Sequence, residues 1–105
     1  METARSRQPE PDGRNELGRL RDEIDEVDNQ IISLLGRRMD LVKQVGEYKR
    51  DNNIPPLDSN RWQEVLDSRL SQARSLGLDE GFVGEIYERI HDQALEIEEG
   101  TKGIQ

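Results

Sequence analysis

Apolar residues recur in steps of three and four through the first half of the chain. They are Leu17, Leu20, Ile24, Val27, Ile31, Leu34, Leu35, Leu41, Val42 and Val45. This spacing places them along one side of an α-helix, and no proline interrupts residues 16–50. The pattern therefore predicts a single helix of about 35 residues, roughly 50 Å long at the ordinary helical rise.

Two shorter helices are expected to follow. The first helix should stop within residues 51–56 (DNNIPP), because two prolines cannot continue it. Asp58 or Ser59 can cap the second helix, which Gly77 ends, and Asp79 can cap the third. No segment alternates with a period of two, so the predicted fold is all-α, with one long N-terminal helix and two shorter helices.

The predicted domain occupies residues 15–100. Residues 1–14 hold two prolines, one glycine and no large apolar residue after Met1. Such a segment buries too little surface to offset its ordering entropy, so we expect a disordered N-terminal tail. Residues 101–105 are expected to be a frayed C-terminus.

The predicted long helix is too long for a compact monomer. A domain of 105 residues has a radius of gyration near 13 Å, and only 31% of the residues are hydrophobic. A lone chain would therefore leave the apolar stripe exposed. We expect two chains to pair along their long helices as an intertwined homodimeric bundle.

Composition excludes several classes of function. The chain has 15 Lys and Arg against 23 Asp and Glu, for a net charge of -8. This balance argues against a nucleic-acid or membrane partner, and no apolar run resembles a membrane span or signal peptide. The absence of cysteine excludes disulfides and thiol catalysis and agrees with a cytoplasmic location. His91, the only histidine, is interpreted as a partly exposed helix residue.

Cations lie on the apolar stripe of the first helix. Arg38 and Lys49 are 11 residues apart, which returns them to nearly the same direction, with Val42 and Val45 between them. A charge beside an apolar slot needs an anionic partner. Arg21 lies about 42 Å from Lys49 along one helix, so it can join them only from the other chain of an antiparallel dimer.

A simpler interpretation of these charges stays open. Most charged helix residues are solvated or form pairs with residues one turn away, and Asp25, Asp28 and Glu47 are available as partners. Arg37 and Lys43 fall on other faces of the helix and are interpreted as surface residues.

Together these residues resemble the all-helical (type II) chorismate mutase family. The resemblance runs from about Leu17 to Glu99. The fragments that carry it are Leu20-Arg21-x-x-Ile24-x-x-x-Asp28, Leu34-Leu35-x-x-Arg38, Val45-Gly46-x-x-Lys49 and Asp58-x-x-Arg61. Each fragment is weak alone, but their order and their placement on three helices are specific.

The resemblance implies an intertwined homodimer that converts chorismate to prephenate on the route to phenylalanine and tyrosine. This rearrangement is intramolecular and pericyclic, so it needs no nucleophile, metal or cofactor. By the same resemblance, Arg21 of the partner chain would join Arg38 and Arg61 around the two substrate carboxylates. Lys49 would bridge a carboxylate and the ether oxygen. Asp58 would approach the ring hydroxyl through its backbone, and Glu98 would lie near the ether oxygen.

Three residues depart from the family pattern. Trp62 stands where many relatives have a glutamate that accepts a hydrogen bond from the ring hydroxyl, so Trp62 either walls the pocket or packs in the core. Ala94 stands where relatives often have serine. Glu98 stands where many have glutamine, and a glutamate donates a hydrogen bond only when protonated. We therefore expect Glu98 to be protonated in the active form and activity to be greater at acidic pH.

Two other functions remain in competition. An isochorismate pyruvate lyase shares the fold and the basic pocket, and residues 35–43 (LGRRMDLVK) also look like those lyases, whereas residues 52–62 (NNIPPLDSNRW) look more like mutases. A non-catalytic helical dimer, acting as an interaction or regulatory module, would explain Trp62 as a degraded site. A mutase of this kind can also need another shikimate-pathway enzyme as a partner.

Overall fold

The structure, a computed structural model, describes residues 13–102 and consists of three α-helices. These are α1 (Gly13–Asp51), α2 (Ser59–Ser75) and α3 (Glu80–Lys102). No strand occurs within this range, so the all-α prediction and the order of one long and two shorter helices are confirmed. Most of the predicted tail, and the last three residues of the predicted frayed end, lie outside the described residues.

The end of α1 is set by local backbone chemistry. Asn53 has a φ of 58°, the left-handed conformation that commonly terminates a helix. The Ile54 N–H donates to the Lys49 carbonyl at 2.8 Å, and the Asn53 N–H donates to the Arg50 carbonyl at 3.3 Å. This pair of bonds is a Schellman motif. The motif turns the chain sharply at Asn52 and Asn53.

The caps of α2 and α3 agree with the sequence prediction. The Asp58 carboxylate accepts a hydrogen bond from the Arg61 N–H at 3.1 Å, and the Asp79 carboxylate accepts one from the Phe82 N–H at 3.0 Å. Each satisfies a backbone donor that the first helical turn leaves without a partner. Between the two helices, Gly77 has a φ of 73°.

The chain divides into two compact units, with the boundary between Arg38 and Met39. In the first unit, α1 is the only described element. Its apolar stripe is exposed: the exposed fraction is 58% for Ile24, 49% for Ile31 and 59% for Leu34. An apolar stripe of this length is unusual on a solvent-facing surface.

The second unit has a small core between α2 and α3. Val65 and Ala73 of α2 are buried, as are Val83 and Ala94 of α3. The two helices are antiparallel: Trp62 near the start of α2 contacts His91 at the middle of α3, whereas Arg74 near the end of α2 bonds to Glu80 at the start of α3. No helix in the described range is long and apolar enough to cross a membrane.

Candidate active site

A lysine and a glutamate meet in the second unit, 49 positions apart in the sequence. Lys49 Nζ donates a hydrogen bond to Glu98 Oε1 at 2.9 Å and another to the carbonyl oxygen of Pro56 at 2.6 Å. The Lys49 and Glu98 side chains are 17% and 11% exposed. The pair is therefore largely withdrawn from water.

The elements around this pair explain its position. The Schellman motif at Asn53 sends the chain back past the last turn of α1, which brings the Pro56 carbonyl to Lys49. Glu98 lies four residues after the buried Ala94 on α3, so both occupy the same side of that helix. The Schellman motif, the Pro56 carbonyl and the packed face of α3 thus hold the lysine head group in place.

The lysine keeps one donor for a ligand. An ammonium group has three N–H donors, and two of them go to Glu98 and Pro56. The direction of the third N–H is fixed by the other two hydrogen bonds. This N–H can donate to a ligand oxygen that carries negative charge.

Burial separates this pair from the exposed ion pairs of α1. Arg19 bonds to Glu16 and Glu23, and the hydrogen bond from Arg19 lowers the pKa of the Glu16 carboxyl. Those side chains are more than half exposed, so solvent screens their attraction. Removing one partner of a buried pair, in contrast, costs about 3–5 kcal/mol. Lys49 and Glu98 are thus far less screened by solvent than the ion pairs of Arg19.

The start of α2 carries two further predicted site residues. The Asp58 carboxylate is engaged as the helix cap. Arg61 is exposed, and its guanidinium lies 3.6 Å from the Glu64 carboxylate on the same helix. Arg61 thus lies at the surface, and the next residue, Trp62, is half-buried.

Trp62 is half-buried and stacks on His91. The ring centroids are 4.1 Å apart, and the planes are inclined by 13°. His91 is also half-buried, and it precedes Glu98 by two helical turns. The seven-residue spacing places His91 and Glu98 on one side of α3, but nothing in the sequence pairs His91 with Trp62.

The other two predicted site residues belong to the first unit. Arg21 is exposed and Arg38 is half-buried, both on α1. Their convergence with Lys49 on one substrate stays a prediction. Across the described residues, no group of three His, Asp or Glu side chains is placed to hold a metal ion.

Comparison with known proteins shows the family to which this sequence is similar. The sequence model of the family described as chorismate mutase type II matches residues 20–99. This range contains every predicted site residue from Arg21 to Glu98.

Three relatives illustrate the range of the similarity. The T-protein of Enterobacter agglomerans is 34% identical over 89 residues, which cover 85% of this chain and 24% of that protein. A 4-amino-4-deoxychorismate mutase of Streptomyces venezuelae is 33% identical over 81% of this chain and 82% of its own length. The chorismate mutase of Methanocaldococcus jannaschii is 32% identical over 76% of this chain and 83% of its own. The chain thus spans about a quarter of the T-protein and most of the other two relatives.

Proposed function

We propose that this chain, which belongs to the type II chorismate mutase family, rearranges chorismate to prephenate in the biosynthesis of phenylalanine and tyrosine. The observation that carries the proposal is the position of Lys49. Its ammonium group is held by Glu98 and by a backbone carbonyl in a largely buried setting, with one N–H to spare. A fixed cation of this kind suits a substrate with two carboxylates and an ether oxygen.

The rearrangement needs restraint and charge rather than a nucleophile. The enolpyruvyl arm must fold over the ring before the new carbon–carbon bond can form. Cations that bind both carboxylates hold that geometry and reduce the entropy lost on the way to the transition state. As the carbon–oxygen bond breaks, negative charge grows on the ether oxygen. A preorganised donor at that oxygen stabilises the transition state more than the ground state.

Each predicted site residue has a role in this scheme. Glu98, when protonated, turns its O–H to the ether oxygen. The Lys49 N–H that bonds to Glu98 in the structure is then released, so Lys49 donates one N–H to the ether oxygen and another to one carboxylate. Arg38 and Arg61 bind the carboxylates, together with Arg21 of a second chain. The backbone at Asp58, whose side chain caps α2, approaches the ring hydroxyl.

A second copy of the chain completes the site. The exposed stripe of the first unit, which includes Ile24, Ile31 and Leu34, is the surface that we assign to the dimer contact. Its burial supplies apolar core that a 31% hydrophobic chain otherwise lacks. Sedimentation of the full chain should therefore give the mass of two copies.

The test is a product assay with two substrates. The purified chain is incubated with chorismate, and prephenate is measured after its acid conversion to phenylpyruvate. A parallel incubation with isochorismate is assayed for pyruvate. We expect prephenate from chorismate and no pyruvate from isochorismate.

The other outcomes identify the rival functions. Pyruvate from isochorismate without prephenate would make the protein a lyase. No turnover of either substrate, in protein that sediments as a folded dimer, would favour a non-catalytic module. Either result would refute the mutase proposal.

A further inference from the structure

The stacked Trp62 and His91 rings carry polar groups that the proposed chemistry does not yet use. The rings join α2 to α3 at a centroid distance of 4.1 Å, and both side chains are half-buried. Within the described part of the chain, no hydrogen bond involves the indole N–H or either imidazole nitrogen. Such groups usually have a partner when they are withdrawn from water. Here a ligand can supply it.

The stack lies on the same side of α3 as the Lys49–Glu98 pair. His91, Ala94 and Glu98 follow each other at steps of three and four, so they share one helix face. The axial distance from His91 to Glu98 is about 10 Å. Trp62 follows Asp58 by one turn of α2, and Asp58 lies two residues after Pro56, whose carbonyl bonds to Lys49. A small ligand whose ether oxygen meets Lys49 and Glu98 can extend its ring along this face, toward Trp62 and His91.

The ring carbon next to the ether-bearing carbon distinguishes two related substrates. Chorismate has a hydroxyl group at this position, C4, and 4-amino-4-deoxychorismate has an amine there. Two relatives of this chain, at 33% and 32% identity, are named as mutases of one substrate each. Family membership leaves open which substituent this chain accepts. The residues that contact C4 must decide it.

We propose that Trp62 and His91 recognise the C4 substituent and select the hydroxyl over the amine. This inference rests on the proposed mutase function. The imidazole of His91 accepts a hydrogen bond from the substituent, and the indole N–H of Trp62 donates one to it.

The donors and acceptors of the two substituents account for this selection. A neutral imidazole has one acceptor nitrogen, whereas an indole has only a donor. A hydroxyl donates and accepts, so it satisfies both rings. A protonated amine only donates, and it leaves the indole N–H without a partner, which is costly in a half-buried site. Discrimination of this kind can be large, because the wrong ligand leaves a polar group of the site unpaired.

The experiment compares kcat/KM for chorismate and 4-amino-4-deoxychorismate in the full chain and four variants. His91→Leu removes the acceptor, and His91→Gln retains one. Trp62→Phe removes the donor but keeps an aromatic ring. Gln93→Leu, at an exposed position of the same helix, is the matched control.

The parent should prefer chorismate by about tenfold or more, the effect of one unpaired polar group. His91→Leu should lower kcat/KM by about 10- to 100-fold for both substrates, because the hydroxyl and the protonated amine both donate to His91. His91→Gln should recover most of the loss, and Trp62→Phe should reduce the preference for chorismate. The control should match the parent with both substrates.

Three results would overturn the inference alone, in a parent that is active on chorismate. These are a preference for the amine, parental kcat/KM values for both substrates in His91→Leu, and an unchanged preference in Trp62→Phe. If His91→Leu does not fold, as judged by circular dichroism, the other two variants provide the test. The inference then requires His91→Gln to keep the preference for chorismate and Trp62→Phe to weaken it. A folded parent that converts neither substrate refutes the proposed function, and this inference with it.

Discussion

Lys49 is the residue on which the candidate site depends most. Its position comes from three sources: the helix that carries it, the Pro56 carbonyl and the Glu98 carboxylate. A lysine on a flexible four-carbon stem ordinarily loses rotamer entropy when it binds a ligand. Here the side chain is already ordered in the folded protein, so the ammonium group is oriented before a ligand binds.

Replacement of Lys49 by alanine should lower kcat/KM for chorismate by about 10²- to 10³-fold, because a preorganised donor to the developing charge is lost. The matched control is Lys43→Ala, at an exposed position of the same helix. Steady-state kinetics on both variants, with circular dichroism to verify folding, provides the measurement. If Lys49→Ala stays within about threefold of the parent, Lys49 is not the ether-oxygen donor.

The Glu98 side chain can be tested by its amide. Glu98→Gln keeps an oxygen that accepts from Lys49 and adds an N–H that can donate to the ether oxygen, so kcat/KM for chorismate should equal or exceed the parental value. Glu96→Gln, at an exposed position two residues away, is the matched control and should equal the parent. A loss of about tenfold or more in folded Glu98→Gln, with the control unchanged, would contradict a donor role for this position.

At the scale of the elements, the turns decide where the helices meet. The α2 helix ends in a second Schellman motif, in which the Leu78 N–H donates to the Ala73 carbonyl at 2.8 Å and the Gly77 N–H donates to the Arg74 carbonyl at 3.2 Å. Gly77 has the positive φ that this motif requires. The turn sets the antiparallel contact of α2 with α3 and, through it, the stack of Trp62 on His91.

Gly77→Ala should therefore lower the free energy of unfolding by about 1 kcal/mol, because a β-carbon disfavours the left-handed conformation. No atom lies within 4 Å of the position such a carbon would take, so strain alone is responsible. Gly36→Ala is the matched control within α1, with equally open space, and it should raise stability by about 0.5–1 kcal/mol. Urea unfolding at one fixed protein concentration gives both values. Equal effects of the two substitutions would contradict the role of the turn.

At the scale of the whole molecule, the proposed dimer explains an otherwise unfavourable surface. The first unit exposes apolar side chains over several helical turns, from Leu17 at 43% to Leu34 at 59%. Arg21 lies on the same helix. A second chain that covers the stripe would receive Arg21 in its own active site, so assembly and substrate binding are coupled.

Subunit complementation tests this coupling. Arg21→Ala and Lys49→Ala chains, co-expressed with different tags and purified through both tags, give dimers with one chain of each kind. If Arg21 acts in the partner's site, one site carries both changes and the other carries none, so about half of the parental activity should return. Each variant alone should be nearly inactive. Mixed dimers as inactive as the single variants would show that Arg21 serves the site of its own chain.

Much of the fold follows from local sequence patterns. The apolar steps of three and four predict α1, and Asp58, Gly77 and Asp79 mark the ends of α2 and α3 within a residue or two. These features depend on neighbouring residues along the chain, through helix periodicity and backbone hydrogen bonds. The resemblance to the family also predicts which residue types belong in the candidate site.

The amino-acid sequence by itself determined the all-α class, the three helices and their caps. Only the tertiary structure decided that Lys49 bonds to both Glu98 and Pro56, and that His91 stacks on Trp62. The reason is physical: periodicity fixes the side of a helix on which a residue lies, but not the partner that packs there. That partner depends on the turns between the helices, which bring together Trp62 and His91, 29 positions apart, and Lys49 and Glu98, 49 positions apart.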